Sequence, residues 1–209
     1  MRVKYPRTLH HPTSRGLQSD DRIAPDLSAF DGAEVVITEK MDGENTTLYT
    51  DGFHARSLDS GRHPARDWLA RFQAERGYLI PSGWRLCGEN LYARHSVTYM
   101  SLPAYFLGFS VWSDANICSS WDETLSLFSD WDVVPVRTLW RGTYSTSAFS
   151  DVTDALDLDH VEGCVMRLAA AFPMADFQRA VVKWVRPGHV QPGAKHWSKG
   201  PIVPNNLIK

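Results

Sequence analysis

A lysine at the end of a predicted strand is the residue of this chain best suited to covalent chemistry. The segment ITEKMDGEN, residues 37–45, places Lys40 between β-branched residues and an Asp-Gly turn. A lysine amine is a nucleophile only when it is neutral, and with an ordinary pKa of about 10.4 only about one molecule in 2,500 is neutral at pH 7. A nucleophilic Lys40 would therefore need neighbours that displace its proton, whereas an exposed edge lysine would need none.

Four further charged residues follow Lys40 in or beside predicted strands. They are Arg56 in ARS, Glu89 in LCGEN, Glu162 in VEGCVMR and Lys183 in VVKWV. Each has an ordinary structural explanation when it is considered alone. Arg56 suits a hairpin charge, the two glutamates suit solvent-facing carboxylates, and Lys183 suits the polar face of an alternating strand. Only the ordered set is specific.

Short strands and few helices must position these residues. Alternating or β-branched runs predict strands at residues 34–40, 84–89, 104–112, 132–139, 162–168 and 179–185, and a hairpin with an Asp-Gly turn at 45–57. Capping residues and spaced apolar residues predict helices at 63–77, 121–130 and 145–156. This order predicts an α+β domain built from antiparallel pairs rather than a βαβ array.

The ordered set resembles the covalent nucleotidyltransferases, the superfamily of ATP-dependent ligases and messenger-RNA capping enzymes. It is most similar to RNA ligases of the phage T4 RNA ligase 2 type. The motif EKxxGxN of that family is matched here by Glu39, Lys40, Gly43 and Asn45. The resemblance spans about residues 34–186 and implies an adenylyltransferase fold, with antiparallel sheets flanked by helices.

The resemblance implies that Lys40 carries the nucleotide as a covalent lysyl-AMP. Arg56, Lys183 and a divalent metal would lie beside the α-phosphate, and their positive charges would lower the pKa of Lys40. A lowering of about three units requires roughly 4 kcal/mol of repulsion. The same cations would stabilise charge on the phosphorus centre and on the departing pyrophosphate. The implied cofactors are therefore ATP and either Mg²⁺ or Mn²⁺.

The other matched positions imply contacts to the ribose, the base and the metal. Glu89 corresponds to the residue that accepts a hydrogen bond from a ribose hydroxyl, and Glu162 to a catalytic metal ligand, since Mg²⁺ and Mn²⁺ prefer oxygen. Phe109 lies twenty residues after Glu89, as in the family, and would stack on adenine, although its apolar strand also suits core packing. Asn45 would orient metal-bound water or phosphate, and Glu39 belongs to the nucleotide-binding set.

Two positions depart from the family pattern. Many relatives have a second lysine two residues after Lys183, but here that position is Val185, followed by Arg186. Because successive strand residues face opposite sides, Arg186 can bind phosphate in place of that lysine only if the strand ends or bulges there. Asp42 stands where some RNA ligases have histidine and gives the KxDG form of DNA ligases and capping enzymes. The substrate is therefore left open between RNA and DNA.

The residues after the motifs are too few for the extra domain that relatives carry. DNA ligases and capping enzymes append an OB-fold and the phage enzyme a helical domain, but only twenty-three residues follow Arg186. We therefore expect a single nucleotidyltransferase domain over residues 1–209, without an OB-fold and with an extended basic tail at 187–209. The tail either binds a nucleic acid strand itself or leaves end recognition to a partner protein. The candidate strand-binding residues are Lys195, His196, Trp197 and Lys199.

Composition and charge argue against several other classes of protein. A net charge of −2 and a pI of about 6.4 disfavour binding held mainly by bulk electrostatics, although basic groups at 56–71 and 183–209 could bind a polyanion locally. Three distant cysteines without CxxC spacing indicate reduced, structural thiols. The short apolar runs and the absence of a signal-peptide core predict no membrane span and a cytoplasmic location. His10, His11 and Asp20-Asp21 suggest no role and are expected at the surface.

These features predict an ATP-dependent RNA ligase that joins RNA 5′-phosphate and 3′-hydroxyl ends. Its substrates would be nicked duplexes or single strands, and its intermediates would be lysyl-AMP and an adenylylated RNA end. Repair of broken RNA is the expected setting. The alternatives are a DNA nick ligase or nucleotidyl-capping enzyme of the same superfamily, and a noncatalytic subunit that binds RNA ends and kept the nucleotide pocket.

Overall fold

Two mainly antiparallel β-sheets form the centre of the molecule. The computed structural model describes residues 1–188 and 201–208. The four candidate strand-binding residues of the tail lie outside these ranges. The order of strands and helices confirms the predicted α+β class with antiparallel sheets, and no barrel occurs among the described residues.

The first sheet has five strands. In order across the sheet they are β1 (Leu9–His10), β12 (Val181–Val185), β10 (Gly163–Leu168), β2 (Glu34–Lys40) and β9 (Thr138–Thr143). Neighbouring strands are antiparallel except β1 and β12, which are parallel. The sheet therefore joins the amino-terminal strand to the last strand of the described chain before residue 188.

The second sheet has seven strands. Six follow the order β11 (Phe172–Pro173), β7 (Ile117–Cys118), β6 (Phe106–Trp112), β5 (Arg85–Asn90), β3 (Glu44–Tyr49) and β4 (Gly52–Ala55), and β8 (Val134–Pro135) lies parallel to β6. Apolar side chains from both sheets share two buried clusters, one containing Val36 and Leu107 and the other Val181 and Trp112. The two sheets are thus packed against each other.

Among the residues that the structure describes, four α-helices and four 3₁₀ turns connect and cover the strands. The helices are α1 (Asp67–Arg76), α2 (Trp121–Asp130), α3 (Thr146–Asp154) and α4 (Phe177–Ala180), and the turns are Ser28–Phe30, Pro64–Arg66, Gly77–Leu79 and Met174–Asp176. Ser120 and Ser145 cap α2 and α3 by accepting backbone N–H bonds, as their sequences predict. Within the described ranges, every helix is too short or too polar to span a bilayer.

The predicted single strand at 132–139 is wrong, because this segment crosses from one sheet to the other. Val134–Pro135 pairs with β6 in the second sheet, and the next strand begins only at Thr138 in the first sheet. Pro135 lacks an N–H and cannot continue a ladder on both sides. The predicted hairpin is confirmed, but its two-residue loop is Thr50-Asp51, since Tyr49 pairs with Gly52.

The expected surface position of His10 and His11 is also wrong. The two residues are 1% and 4% exposed. The backbone N–H of His11 donates to the Lys183 carbonyl at 2.7 Å, so the amino-terminal segment continues along the edge of β12. The His11 ring stacks on Phe149 with ring centroids 4.0 Å apart. Burial lowers the pKa of His11 to about 4.

The end of the described chain is anchored to the segment that follows β5. The Asn205 side chain is buried, accepts the Tyr99 backbone N–H at 3.0 Å and donates to the Leu91 carbonyl at 2.8 Å. The Tyr105 hydroxyl donates to the Asn205 carbonyl. Residues 201–208 therefore pack against the body of the domain.

The buried His11 predicts a specific loss of stability in acid. Its pKa is depressed in the folded protein relative to 6.5, so below pH 6.5 the unfolded chain binds the proton more readily. The free energy of unfolding should fall between pH 6.5 and pH 4 by up to about 3 kcal/mol from this group. In His11→Phe, which retains a ring against Phe149, urea denaturation should show a correspondingly smaller fall. Identical pH dependence in the two proteins would contradict this assignment.

Candidate nucleotide site

Strand register brings the two predicted catalytic lysines to one face of the first sheet. Lys183 is paired with Val165, and Val165 is paired with Thr38. Lys40 lies two residues beyond Thr38 on the same strand and therefore faces the same side. The alternate residues, including Ile37, are buried in an apolar cluster on the opposite face.

The second sheet presents the other predicted residues in a similar way. Asn45 and Glu89 are directly paired across β3 and β5, and Phe109 lies on the adjacent β6. The turn at 41–43 joins β2 to β3 and so links the two sets. Gly43 is required in this turn, because a Cβ atom there would lie 2.6 Å from the Asn90 carbonyl oxygen.

A cavity of about 1060 Å³ lies between these two sets of residues. The predicted residues that line it are Glu39, Lys40, Asn45, Arg56, Glu89, Phe109, Lys183 and Arg186. Glu162 is buried beside the cavity, with 5% of its side chain exposed, and its Oε2 lies 2.5 Å from Lys40 Nζ. The structure therefore places all nine predicted residues in or beside the cavity wall, although the Glu39 carboxylate pairs with Arg137.

Carboxylates rather than cations are the nearest charges to Lys40. Burial acts to lower the pKa of Lys40, but Glu162, Glu89 and Asp42 act in the opposite direction and raise it above its ordinary value. The short distance from Glu162 explains the raised pKa, because an ion pair of this length strongly favours the ammonium form. The lowering of this pKa that the family resemblance implies requires a divalent metal beside the α-phosphate and stays a prediction.

Glu89 is affected by the same cluster. Burial raises its pKa to about 8, opposed by Lys40 and reinforced by Glu162 and Asp42. Like charges in one buried site cannot all be ionised at low cost. Near pH 7 the Glu89 carboxyl is therefore largely protonated in the protein alone and can donate as well as accept a hydrogen bond.

The donor set fits a divalent cation that is bound together with phosphates. Three carboxylates surround Lys40, and the side-chain oxygen of Asn45 is buried without a hydrogen-bond partner. Over residues 1–188 and 201–208, no group of three His, Cys, Asp or Glu side chains could hold a metal by itself. Mg²⁺ is usually held by one or two carboxylates with water and substrate phosphates. Glu162 and Asn45 are suited to that arrangement.

Arg186, the residue that follows strand β12, lines the cavity. Strand β12 ends at Val185, so the face alternation no longer applies to the next residue. Its Nε atom is buried without a hydrogen-bond partner. Its backbone N–H donates to the Glu162 carbonyl at 3.0 Å, which holds the two residues side by side. An unpaired guanidinium N–H in a polar cavity is suited to an anion.

Two predicted residues, Glu39 and Arg56, lie at the edge of the cavity. Glu39 reaches the cavity edge, but its carboxylate lies 3.2 Å from Arg137 Nε, and burial raises its pKa. Arg56 is exposed at the cavity wall, just after β4. Arg66, which the motifs do not include, also lines the cavity and binds the Glu44 carboxylate through two nitrogen atoms. The roles of Glu39 and Arg56, like those of the other predicted site residues, stay predictions.

Phe109 is half-buried and has both of its predicted environments. It packs against apolar clusters and also forms part of the cavity wall. The Tyr5 ring, also in the wall, meets Phe109 edge to face with centroids 5.3 Å apart. Tyr5 is not indicated by any motif, since it precedes the matched segments.

Lys183 has a partner that the sequence does not indicate. Its Nζ lies 3.4 Å from Asp21 Oδ1, and the other oxygen of Asp21 lies 3.1 Å from His10 Nε2. Burial and the charge of Lys40 lower the pKa of Lys183, whereas Asp21 opposes them. A contact across 162 residues has no local sequence signature.

Comparisons with known proteins agree with this geometry. Residues 33–185 match the RNA ligase family model. A search of curated protein sequences found no match.

Solved structures show the same fold at low sequence identity. An archaeal ATP-dependent RNA ligase is 18% identical with a TM-score of 0.60, and the match covers 88% of this chain and 48% of that one. A putative ATP-dependent DNA ligase from Aquifex aeolicus is 18% identical with a TM-score of 0.56, and the match covers 88% of this chain and 50% of that one. Naegleria gruberi RNA ligase with PPi is 17% identical with a TM-score of 0.55, and the match covers 88% of this chain and 57% of that one.

The chain spans about half the length of these structures, so they establish the fold and not the activity of the whole protein. They confirm the predicted nucleotidyltransferase-type fold, whereas the specific likeness to the phage enzyme stays a prediction. Since the family match covers most of the sequence and includes Lys40, Glu89, Glu162 and Lys183, this chain belongs to the RNA ligase family.

Proposed function

We propose that this protein is an ATP-dependent RNA ligase that works through a lysyl-AMP intermediate. Lys40 Nζ would attack the α-phosphorus of ATP, form a P–N bond and release pyrophosphate. The AMP would pass to an RNA 5′-phosphate, and a 3′-hydroxyl would then displace AMP to form the phosphodiester. The observation that carries the proposal is the convergence of Lys40, Lys183, Arg186 and Glu162 at one cavity of a chain in this family.

The Lys40 proton is the chemical problem that this site must solve. In the protein alone the Glu162 carboxylate stabilises the ammonium form of Lys40. Glu162 and Asn45 would hold Mg²⁺ or Mn²⁺, which supplies positive charge opposite the phosphates. Once the Glu162 charge is directed elsewhere, burial and the nearby Lys183 both favour the neutral amine.

The remaining residues would bind the nucleotide. Lys183, Arg186 and Arg56 are suited to the phosphates, which carry the charge that develops as pyrophosphate departs. Phe109 is placed to stack on the adenine ring, a contact worth about 1 to 3 kcal/mol for bases on aromatic residues. Glu89 is suited to a ribose hydroxyl whether it accepts or donates the hydrogen bond.

The nucleic acid substrate is proposed from the family match. Arg56, Arg94 and His95 lie along the cavity wall and offer positive or polar contacts to a strand. RNA ends, in a nicked duplex or as single strands, are the proposed substrates. A DNA nick remains a second candidate, because a putative DNA ligase has the same fold. A partner protein and a cytoplasmic location stay predictions.

The first test is a covalent nucleotide on Lys40. Protein incubated with α-labelled ATP and Mg²⁺ or Mn²⁺, then denatured, should keep the label, and peptide mass spectrometry should place AMP on Lys40. Lys40→Ala should lose the label completely, because it removes the proposed nucleophilic amine. The matched control is Lys4→Ala, an exposed lysine outside the cavity, which should label normally. Absence of label with every metal tested would refute the enzyme proposal and favour a noncatalytic nucleotide-binding subunit.

The second part of this test compares nicked RNA, DNA and hybrid duplexes with single strands at equal concentration. Faster joining of RNA ends is expected if the family match indicates the substrate. Preferential sealing of DNA nicks would instead support the DNA ligase candidate.

Arg186 provides a separate prediction about the phosphates. Arg186→Ala should slow formation of the labelled protein by about 10- to 100-fold, because hydrogen bonds to charged groups contribute about 1.5 to 3 kcal/mol. Arg186→Lys should keep most of the rate, since it restores a cation. Arg179→Ala removes an exposed arginine outside the cavity and should have no effect. A normal rate for Arg186→Ala would show that this residue does not replace the second lysine.

A further inference from the structure

The amino-terminal segment extends the site beyond the residues that match the family. Strand β1 pairs with the edge of β12, where His10 lies opposite Lys183. The matched residues begin at 33, so this strand lies outside them. The segment therefore contributes an additional edge to the strand that carries a predicted catalytic lysine.

The chain after β1 folds back and places a carboxylate against Lys183. The backbone of His10 donates to the Arg22 carbonyl and accepts from the Ala24 N–H, each at 2.8 Å. These bonds hold the intervening Asp21 beside β12. The Asp21 side chain is 11% exposed, and its Oδ1 lies 3.4 Å from Lys183 Nζ. Its Oδ2 accepts the Gln18 backbone N–H at 3.1 Å.

The buried His10 ring lies on the other side of this carboxylate, at ion-pair distance. Asp21 Oδ2 lies 3.1 Å from Nε2 of His10, whose side chain is 1% exposed. The His10 Nδ1 lies 2.8 Å from Ser14 Oγ, which in turn accepts the Val185 backbone N–H at 3.0 Å. The contacts thus begin and end on β12. A carboxylate held in this way has little freedom to turn away from Lys183.

The neighbouring Asp20 shows that acidity alone does not explain this arrangement. The Asp20 side chain is 73% exposed and contacts the Arg7 guanidinium at 2.8 Å. Two adjacent aspartates therefore differ in burial and in access to the site. This pair provides a matched comparison.

We propose that Asp21 is a positioning residue that holds the Lys183 ammonium group in the orientation that binds the ATP phosphates. The inference rests on the proposed function. A free lysine side chain loses rotamer entropy when it is ordered on a ligand. Asp21 orders the Lys183 side chain before the nucleotide binds. It accepts one hydrogen bond from an ammonium group that has three N–H donors. The remaining donors are free to face the cavity that Lys183 lines.

The test is a double-mutant cycle on formation of the labelled protein in a single turnover. Asp21→Asn keeps the size of the side chain and removes its charge, and should slow labelling about tenfold at saturating ATP. Lys183→Ala should slow it further, and adding Asp21→Asn to Lys183→Ala should change nothing more. Asp20→Asn should label at the normal rate. A purely structural role for Asp21 would instead reduce the rate equally with and without Lys183.

The same cycle on pyrophosphate binding separates this inference from the proposed reaction. Calorimetry on the Lys40→Ala protein needs no turnover, and Asp21→Asn should weaken binding about tenfold only when Lys183 is present. Coupling in this measurement supports the inference even if no lysyl-AMP forms. Independent effects of the two substitutions, or pyrophosphate binding that is unaffected by Asp21→Asn, would overturn it. Thermal melts of each variant verify that the compared proteins are folded.

Discussion

The antiparallel register of β2, β10 and β12 is the constraint on which the site depends. Thr38, Val165 and Lys183 lie side by side across these three strands. Lys40 lies two residues beyond Thr38 and therefore faces the same side of the sheet. A slip of one residue in any of these strands would exchange the core face for the cavity face. The apolar cluster behind the sheet, with Ile37 and Met166 fully buried, makes such a slip costly. Hydrophobic burial on one face thus fixes the chemistry on the other.

Charge compensation is the second constraint, because the sheet places two lysines near each other in a partly enclosed cavity. Each lysine has its own carboxylate, Glu162 for Lys40 and Asp21 for Lys183. A buried charge without a partner would be far more costly than a paired one. The pairing stabilises the protein alone, and it also favours the protonated form of Lys40. In the proposed reaction, substrate phosphates and a cation would redistribute these charges, so activation of Lys40 would depend on binding rather than on the protein alone.

The sequence predicts the set of site residues better than their electrostatics. Ordered motifs could predict which side chains meet, because each lies on a strand whose alternation is visible in the sequence. The pKa of Lys40 could not be predicted, since it depends on a 2.5 Å contact with Glu162 whose geometry no motif specifies. The place of Asp21 was missed for a related reason, as its contacts join β1 to β12 through a loop of irregular sequence.

The strand prediction failed at residues 132–139, because this segment contributes one strand to each of the two sheets. The run 132–139 has the composition of one strand, but local alternation carries no information about which sheet each half joins. The burial of His10 and His11 was missed because their polarity suggests a surface position. Their ring nitrogens find partners in Ser14 and Thr13 only after the segment has folded onto β12. Tertiary contacts decide both outcomes.

The end of β12 places residues of two neighbouring strands beside the cavity. Gly163 approaches the Trp184 carbonyl so closely that a Cβ atom would lie 2.0 Å from its oxygen. Glu162 directly precedes β10 and Arg186 directly follows β12, so the two residues lie side by side. The Arg186 backbone N–H donates to the Glu162 carbonyl. The carboxylate beside Lys40 and the guanidinium at the cavity are therefore positioned by one ladder. Arg186, one residue beyond Val185, lines the cavity, and this supports its proposed role in place of a lysine at position 185.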